Sequence, residues 1–239
     1  MTNRRTLVIG GDRFRIGAWH ADPTIAHLSV PAERPRARPD NVQRALESLV
    51  ADGYVDVITS ALHLDEAGVY LAQGFCEFDR LKVLAHDLVD LEPTRPAPDP
   101  RFHLHRARRR DRPAALEVDA LAFPPFWQLD ESGLLDALHA TPRHRFRLAT
   151  VGDTVVGYAV TGRAGVQGFL QRLAVRPALG GRGLGSSLVV DALHWAARRR
   201  VARLLVNTQE DNHRALDLYH RLGFELTPTD LVVLRRSLT

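Results

Sequence analysis

The sequence holds one cysteine, one methionine and one lysine among 239 residues. A single thiol, Cys76, excludes any internal disulfide. Its setting, Gly74-Phe75-Cys76-Glu77-Phe78, predicts a packed, inert thiol at a strand edge. No apolar run approaches the roughly 20 residues that cross a bilayer. The apolar stretch Leu7-Val8-Ile9 after Arg4-Arg5 is cut short by Asp12 and Arg13, so it does not read as an export signal. A cytoplasmic protein with no membrane partner is expected. The eleven histidines are scattered, and neither His103/His105 nor His139/His144 has a cysteine or carboxylate at ligand spacing. No metal is expected.

Apolar residues make up 45% of the chain, which excludes wholesale disorder. The length alone allows one or two domains. Net charge is +4, and apart from Lys82 every basic residue is arginine, the composition of a high-GC bacterial genome. The clusters Arg106–Arg112 and Arg198–Arg200 come without a nucleic-acid-binding signature and read as solvated faces. The second ends a helix, where cations favour the dipole. Nucleic acid is not expected as a partner.

The most specific stretch is Leu173-Ala-Val-Arg-Pro-Ala-Leu-Gly-Gly-Arg-Gly-Leu-Gly-Ser-Ser187. A strand-like run stops at Pro177, and Gly180, Gly181, Gly183 and Gly185 precede a helical pattern. Such a turn brings successive N–H groups near a ligand, and the helix adds unpaired donors and the positive end of its dipole. It suits a phosphate. A P-loop is excluded because Gly185 is followed by Ser186 and not lysine. A dinucleotide fingerprint is excluded too, because its third glycine falls on Ser186 or Leu188. Downstream, Leu204-Leu-Val-Asn-Thr208 reads as a buried strand, followed by Asn212-His-Arg-Ala-Leu-Asp-Leu-Tyr-His-Arg-Leu-Gly-Phe224. Ala215, Leu218, Tyr219 and Leu222 form one apolar helical face, with Asn212 at the N-cap and Gly223 just past the end.

Together these two segments resemble the acetyl-CoA-binding motifs of the GNAT N-acetyltransferase superfamily. Members show a Leu-Ala-Val-x-Pro-like strand end, Gln/Arg-x-x-Gly-x-Gly/Ala and a helix, then Asn-x-x-Ala-x-x-Leu-Tyr-x-x-x-Gly-Phe. Gly183 and Gly185 match the family glycines, while Gly180 stands where the family has Gln or Arg. The resemblance implies acetyl-CoA as co-substrate, with its diphosphate over the amides of Gly181, Arg182, Gly183, Leu184, Gly185 and Ser186. It implies a backbone N–H from Leu173, Ala174 or Val175 for the thioester carbonyl. It makes Asn212 a contact of the CoA arm, with a plain helix cap as the alternative. Tyr219 becomes the proton donor to the departing thiolate, in a nearly balanced transfer, or else a core tyrosine. Many relatives carry a basic Glu near Gln171 or Arg172, and neither residue can serve here; Glu210 and Asp211 are the candidates instead. Phe126 and Trp127, in Phe123-Pro-Pro-Phe-Trp127, resemble the acceptor-facing loop, and Gln171 is a further candidate acceptor contact.

The element order over 101–239 predicts an α/β fold, a GNAT-like mixed central sheet flanked by helices. Residues 92–100 carry four prolines and read as a stiff linker. The segment 1–91 holds a fainter copy: Tyr70, Gly74 and Phe75 lie 149 positions before Tyr219, Gly223 and Phe224. There His63 replaces Asn212, and Pro31, Pro35 and Pro39 replace the glycines, deleting N–H donors. Arg34, Arg36 and Arg38 of that segment offer only weak anion binding. The expected organisation is a smaller degenerate GNAT-like half-unit, the linker, and a catalytic domain. The expected partner is an amine acceptor, small molecule or peptide N-terminus, for a monomer or homodimer. Two alternatives stay open: a non-catalytic CoA-binding sensor, and a tandem transferase for an amino-sugar thiol as in mycothiol synthesis.

Overall fold

A computed structural model describes residues 5–20, 22–30, 37–89 and 101–239. The linker 92–100 and the residues Pro31, Arg34, Pro35 and Arg36 lie outside them. The chain opens with strands β1 (Arg5–Ile9), β2 (Asp12–Trp19) and β3 (Asp22–Ser29), then α1 (Pro39–Ala51), β4 (Asp56–Thr59), β5 (Leu62–His63), α2 (Leu64–Leu71) and β6 (Cys76–Asp87). It continues with β7 (His103–Arg106), α3 (Arg112–Ala122), α4 (Glu131–His139), β8 (Arg143–Val151), β9 (Thr154–Ala164) and β10 (Gln167–Val175). The last elements are α5 (Leu184–Ala197), β11 (Arg203–Gln209), α6 (His213–Arg221), β12 (Glu225–Leu226) and β13 (Leu231–Ser237).

These elements form two compact units. The first comprises the described residues up to Val83 with Gln209–Asp211 and Thr227–Thr239; the second holds the described part of Leu84–Thr208 and Asn212–Leu226. In the first unit the strands run β1-β2-β3-β4-β13-β6, and β3 and β4 are parallel. Helix α1 buries Val42, Ala45, Leu46 and Leu49, a stripe at helical spacing, against Phe14, Leu28 and Val57. Sequence order alone puts β13 in the domain 101–239, but it packs in the first unit. It pairs with β4 at Arg235↔Ile58, the Leu234 amide donates to Thr59 Oγ1 at 3.0 Å, and Val232 and Leu234 fill the first core. Long-range pairing decides this, and no local pattern announces it.

The second unit carries the order β11-β10-β9-β8-β7, antiparallel except for the parallel pair β10–β11. Leu134, Leu138 and Val118 of α3 and α4 pack with Tyr158, Val160 and Ala174 in one core. Leu188, Leu193 and Trp195 of α5 pack with Val156, Leu170 and Tyr219 in another. Helices thus cover both faces of a mixed sheet, as the element order predicts.

The internal repeat is structural. The rings of Tyr70 and Phe75 lie 5.5 Å apart, as do those of Tyr219 and Phe224. Gly74 (φ +78°) and Gly223 (φ +82°) end α2 and α6 in the same left-handed turn. Among the described residues, the start of α1 shows no counterpart of the anion turn. Pro39 occupies the first helical position, and the Asp12 carboxylate already accepts from the Arg38 amide (2.9 Å) and Asn41 Nδ2 (2.6 Å). Those donors hold Asp12 below its ordinary value of 3.8. Arg38 is tied down as well, donating to the Gly10 carbonyl. Cys76 departs from expectation: its thiol is exposed, because it opens β6 at a stretch, Cys76 to Phe78, that is exposed throughout, while Phe75 just before it enters the core.

Candidate functional site

The turn before α5 is built on two left-handed glycines, Gly181 (φ +74°) and Gly183 (φ +79°), a conformation L-residues rarely hold. A Cβ at either would meet only open space. A short turn closes the approach, with the Leu179 amide on the Arg176 carbonyl and the Gly180 amide on Pro177. The next amide with a main-chain partner before the helix interior is that of Ser187, on the Gly183 carbonyl at 2.9 Å. Between them the amides of Gly181, Arg182, Gly183, Leu184, Gly185 and Ser186 have no hydrogen-bond partner among the described residues. Leu184 anchors the helix start by burying its side chain, while Gly181, Arg182 and Gly183 stay exposed. The result is a row of six free donors at the positive end of a 14-residue helix.

Strand β10 supplies a second set of free donors. It pairs with β11 only from Gln167↔Arg203 to Leu170↔Val206, beyond which the two parallel strands separate. A bulge at Gln171 shifts its register against β9. The Arg176 amide donates to Val156 of β9, so by alternation the Ala174 amide also faces β9. Those of Leu173 and Val175 point to the opposite edge, where ladder pairing with β11 has ended. Of the three expected positions, two offer a main-chain N–H to the opening.

On α6 the Asn212 side chain serves as a cap. Its Oδ1 accepts from the Ala215 amide (3.2 Å) and its Nδ2 donates to Thr208 Oγ1 (3.0 Å). Tyr219 is buried in the apolar cluster against which Leu173, Val175 and Leu218 also pack. Its hydroxyl has no hydrogen-bond partner among the described residues. Burial pushes the phenol well above its ordinary value of 10, so it is a weaker acid than a balanced transfer to a thiolate assumes.

The loop Phe123–Trp127 is held from beneath by Arg172. Its Nη2 donates to the Trp127 carbonyl at 2.7 Å, and its guanidinium lies 3.4 Å from the centre of the Phe123 ring. Phe126 stands edge-on to Trp127, with centroids 5.2 Å apart, and both rings are half-buried. Gln171 lies against Gly162: a Cβ there would be 2.7 Å from its Nε2 and would strike Thr141 Oγ1. The sequence reading missed Asp119, the fully buried partner of Arg172; a carboxylate on the apolar stripe of α3 was the available signal.

The candidate bases Glu210 and Asp211 lie in the first unit, where Lys82 Nζ stands 3.8 Å from Glu210. Asp79 of β6 was not anticipated. Burial raises its carboxyl above 3.8, and the negative charges of Asp211 and Glu210 add to the rise.

Strand, glycine turn, helix, separating strand and capped helix are, in this order, the core of a GNAT acetyltransferase domain. Residues 112–224 match the acetyltransferase (GNAT) family, so the chain carries a GNAT-family domain over that span. It is similar to the mycothiol acetyltransferase of Mycolicibacterium gilvum, with 31% identity over 175 residues, 67% of this chain and 57% of that protein. It is also similar to the mycothiol acetyltransferase of a Nocardioides species, with 29% identity over 205 residues, 75% of this chain and 68% of that one. The chain thus spans less than two thirds of the first relative. Among solved structures, a tandem GNAT protein from the clavulanic acid biosynthesis pathway superposes with a TM-score of 0.69 at 17% identity, over 97% of this chain and 81% of that one. A GCN5-related N-acetyltransferase from Sphaerobacter thermophilus gives 0.62 at 18%, over 95% and 76%. Both likenesses are of fold.

Proposed function

We propose that this protein is an acetyl-CoA-dependent N-acetyltransferase that moves an acetyl group directly to a primary amine, on a small molecule or at a peptide N-terminus. The observation that carries the reading is the row of six unpartnered amides from Gly181 to Ser186 in a GNAT-family domain. When bound, acetyl-CoA supplies the thioester that carries the acetyl group. The amides hold its diphosphate, each charge-assisted bond contributing about 1.5–3 kcal/mol. The Leu173 and Val175 amides orient the thioester carbonyl in the opening between β10 and β11, where positioning supplies much of the rate gain. Tyr219 keeps its proton throughout the physiological range and offers a hydrogen bond to the leaving sulfur. Gln171 and Arg172 cannot accept a proton at neutral pH, so the acceptor reacts as its free base; the C–N bond forms as the thioester C–S bond breaks, and the proton lost by nitrogen leaves with the sulfur as CoA thiol.

A second reading, an amino-sugar thiol as acceptor, is favoured by the two relatives named mycothiol acetyltransferases. Thiol release from acetyl-CoA, followed over small amines, peptide α-amines and an amino-sugar thiol, tests both. Release well above background with at least one acceptor is expected. Acetyl-CoA binding without release across the panel would leave only a CoA-binding module.

A further inference from the structure

Gly180 is a glycine for a reason other than its backbone. Its φ of −62° and ψ of 151° suit any residue. What occupies the place of a side chain is a neighbour: a Cβ at Gly180 would stand 2.8 Å from Arg214 Cζ and 3.1 Å from Nη1, and would overlap Nη2, so a side chain there requires the guanidinium to move. The guanidinium of Arg214, reaching from α6, fills the space that a side chain at position 180 would occupy. The sequence resemblance puts a Gln or Arg at that position. Arg214 sits in the first turn of its own helix, where a cation is disfavoured by the dipole, and beside the equally positive start of α5. It has no ion pair or hydrogen bond among the described residues. A positive group held among positive ends without a carboxylate is stabilised by an anion from outside.

We infer that Arg214 supplies, from α6, the cation that the turn lacks at position 180, and that it clamps the diphosphate of acetyl-CoA together with the Gly181–Ser186 amides. This rests on the acetyl-CoA reading above and adds a specificity-determining residue to it. The planar fork of arginine suits two phosphate oxygens at once. A direct consequence is that positions 180 and 214 are exchangeable. Arginine at 180 competes with the Arg214 guanidinium for one place, and takes it unopposed once Arg214 is truncated.

The test is acetyl-CoA titration by calorimetry on four proteins: the parent, Arg214→Ala, Gly180→Arg, and Gly180→Arg with Arg214→Ala. Arg214→Ala should weaken binding about tenfold or more, and the double variant should return to within a few-fold of the parent. Acetyl-3′-dephospho-CoA should show the same Arg214→Ala penalty. Arg214 is exposed, so its truncation should leave the thermal midpoint nearly unchanged. Failure of the parent itself to bind acetyl-CoA would overturn the reading beneath. A parent that binds, with Arg214→Ala binding equally well or the double variant no better than Arg214→Ala, would overturn this inference alone. Loss of the penalty with the dephosphorylated ligand would move Arg214 to the 3′-phosphate and overturn the diphosphate assignment.

Discussion

Arg172 and Asp119 form a two-pronged ion pair, Nε to Oδ2 and Nη2 to Oδ1, both at 2.8 Å, around a wholly buried carboxylate. The same carboxylate accepts from the Tyr158 hydroxyl at 2.5 Å and the Leu129 amide at 2.7 Å. One aspartate thus joins β9, β10 and the segment after the Phe123–Trp127 loop. Arg172 is thus a structural cation.

Removing one partner of such a pair leaves the other charge buried and alone. Asp119→Asn should lower stability by about 3–5 kcal/mol in urea unfolding. Because the two residues act as one unit, Asp119→Asn with Arg172→Met should cost less than the sum of the single changes. Additive losses would mean that the pair is not coupled.

Gly183→Pro removes one donor of the amide row and cannot hold φ near +79°. Acetyl-CoA affinity should fall at least tenfold in calorimetry, equivalent to about 1.4 kcal/mol. Unchanged affinity in a folded variant would remove the anion turn from the account.

Tyr219→Phe deletes a hydroxyl that has no hydrogen-bond partner among the described residues, so the variant should be about as stable as the parent. Turnover should nevertheless fall by about tenfold to a hundredfold, the loss of one hydrogen bond to the charged leaving sulfur, with acetyl-CoA affinity within twofold. Equal rates would make Tyr219 a packing residue.

Asp191 provides the pH signature. Burial alone would raise its carboxyl, but the Arg145 hydrogen bonds (2.8 and 2.9 Å) and the charges of Arg147 and Arg145 outweigh it and hold the group below 3.8. A carboxyl lowered on folding contributes stability that is present above its unfolded value and lost as pH falls through the folded one. Asp191→Asn should therefore be less stable than the parent by about 2–4 kcal/mol at pH 7. The gap should close as pH drops below about 4. A gap that stays constant to pH 2 would assign the loss to shape and not charge.

What the sequence disclosed was local. Gly181, Gly183 and the Asn212–Phe224 segment carry their geometry within a few residues, so the turn, the cap and the apolar face of α6 could be read directly. The helix boundaries follow, with α5 at Leu184–Ala197 and α6 at His213–Arg221. Hidden were relationships spanning long separations. Leu234 bonds Thr59 across 175 positions, which moves β13 into the first unit, and Arg172 finds Asp119 across 53. The meeting of Arg214 with Gly180 belongs to the same class, because only packing brings α6 over the turn. Cys76 differs for a smaller reason: its apolar neighbours suggest burial, but the first three residues of β6 are all exposed.

The most direct measurement compares acetyl-CoA with acetyl-pantetheine, which keeps the thioester and lacks the diphosphate, in calorimetric titration of the parent protein. Several charge-assisted amide bonds at the start of α5 predict saturable acetyl-CoA binding, with the truncated ligand at least a hundredfold weaker, about 2.7 kcal/mol. Equal affinities for the two ligands would contradict the account at its root.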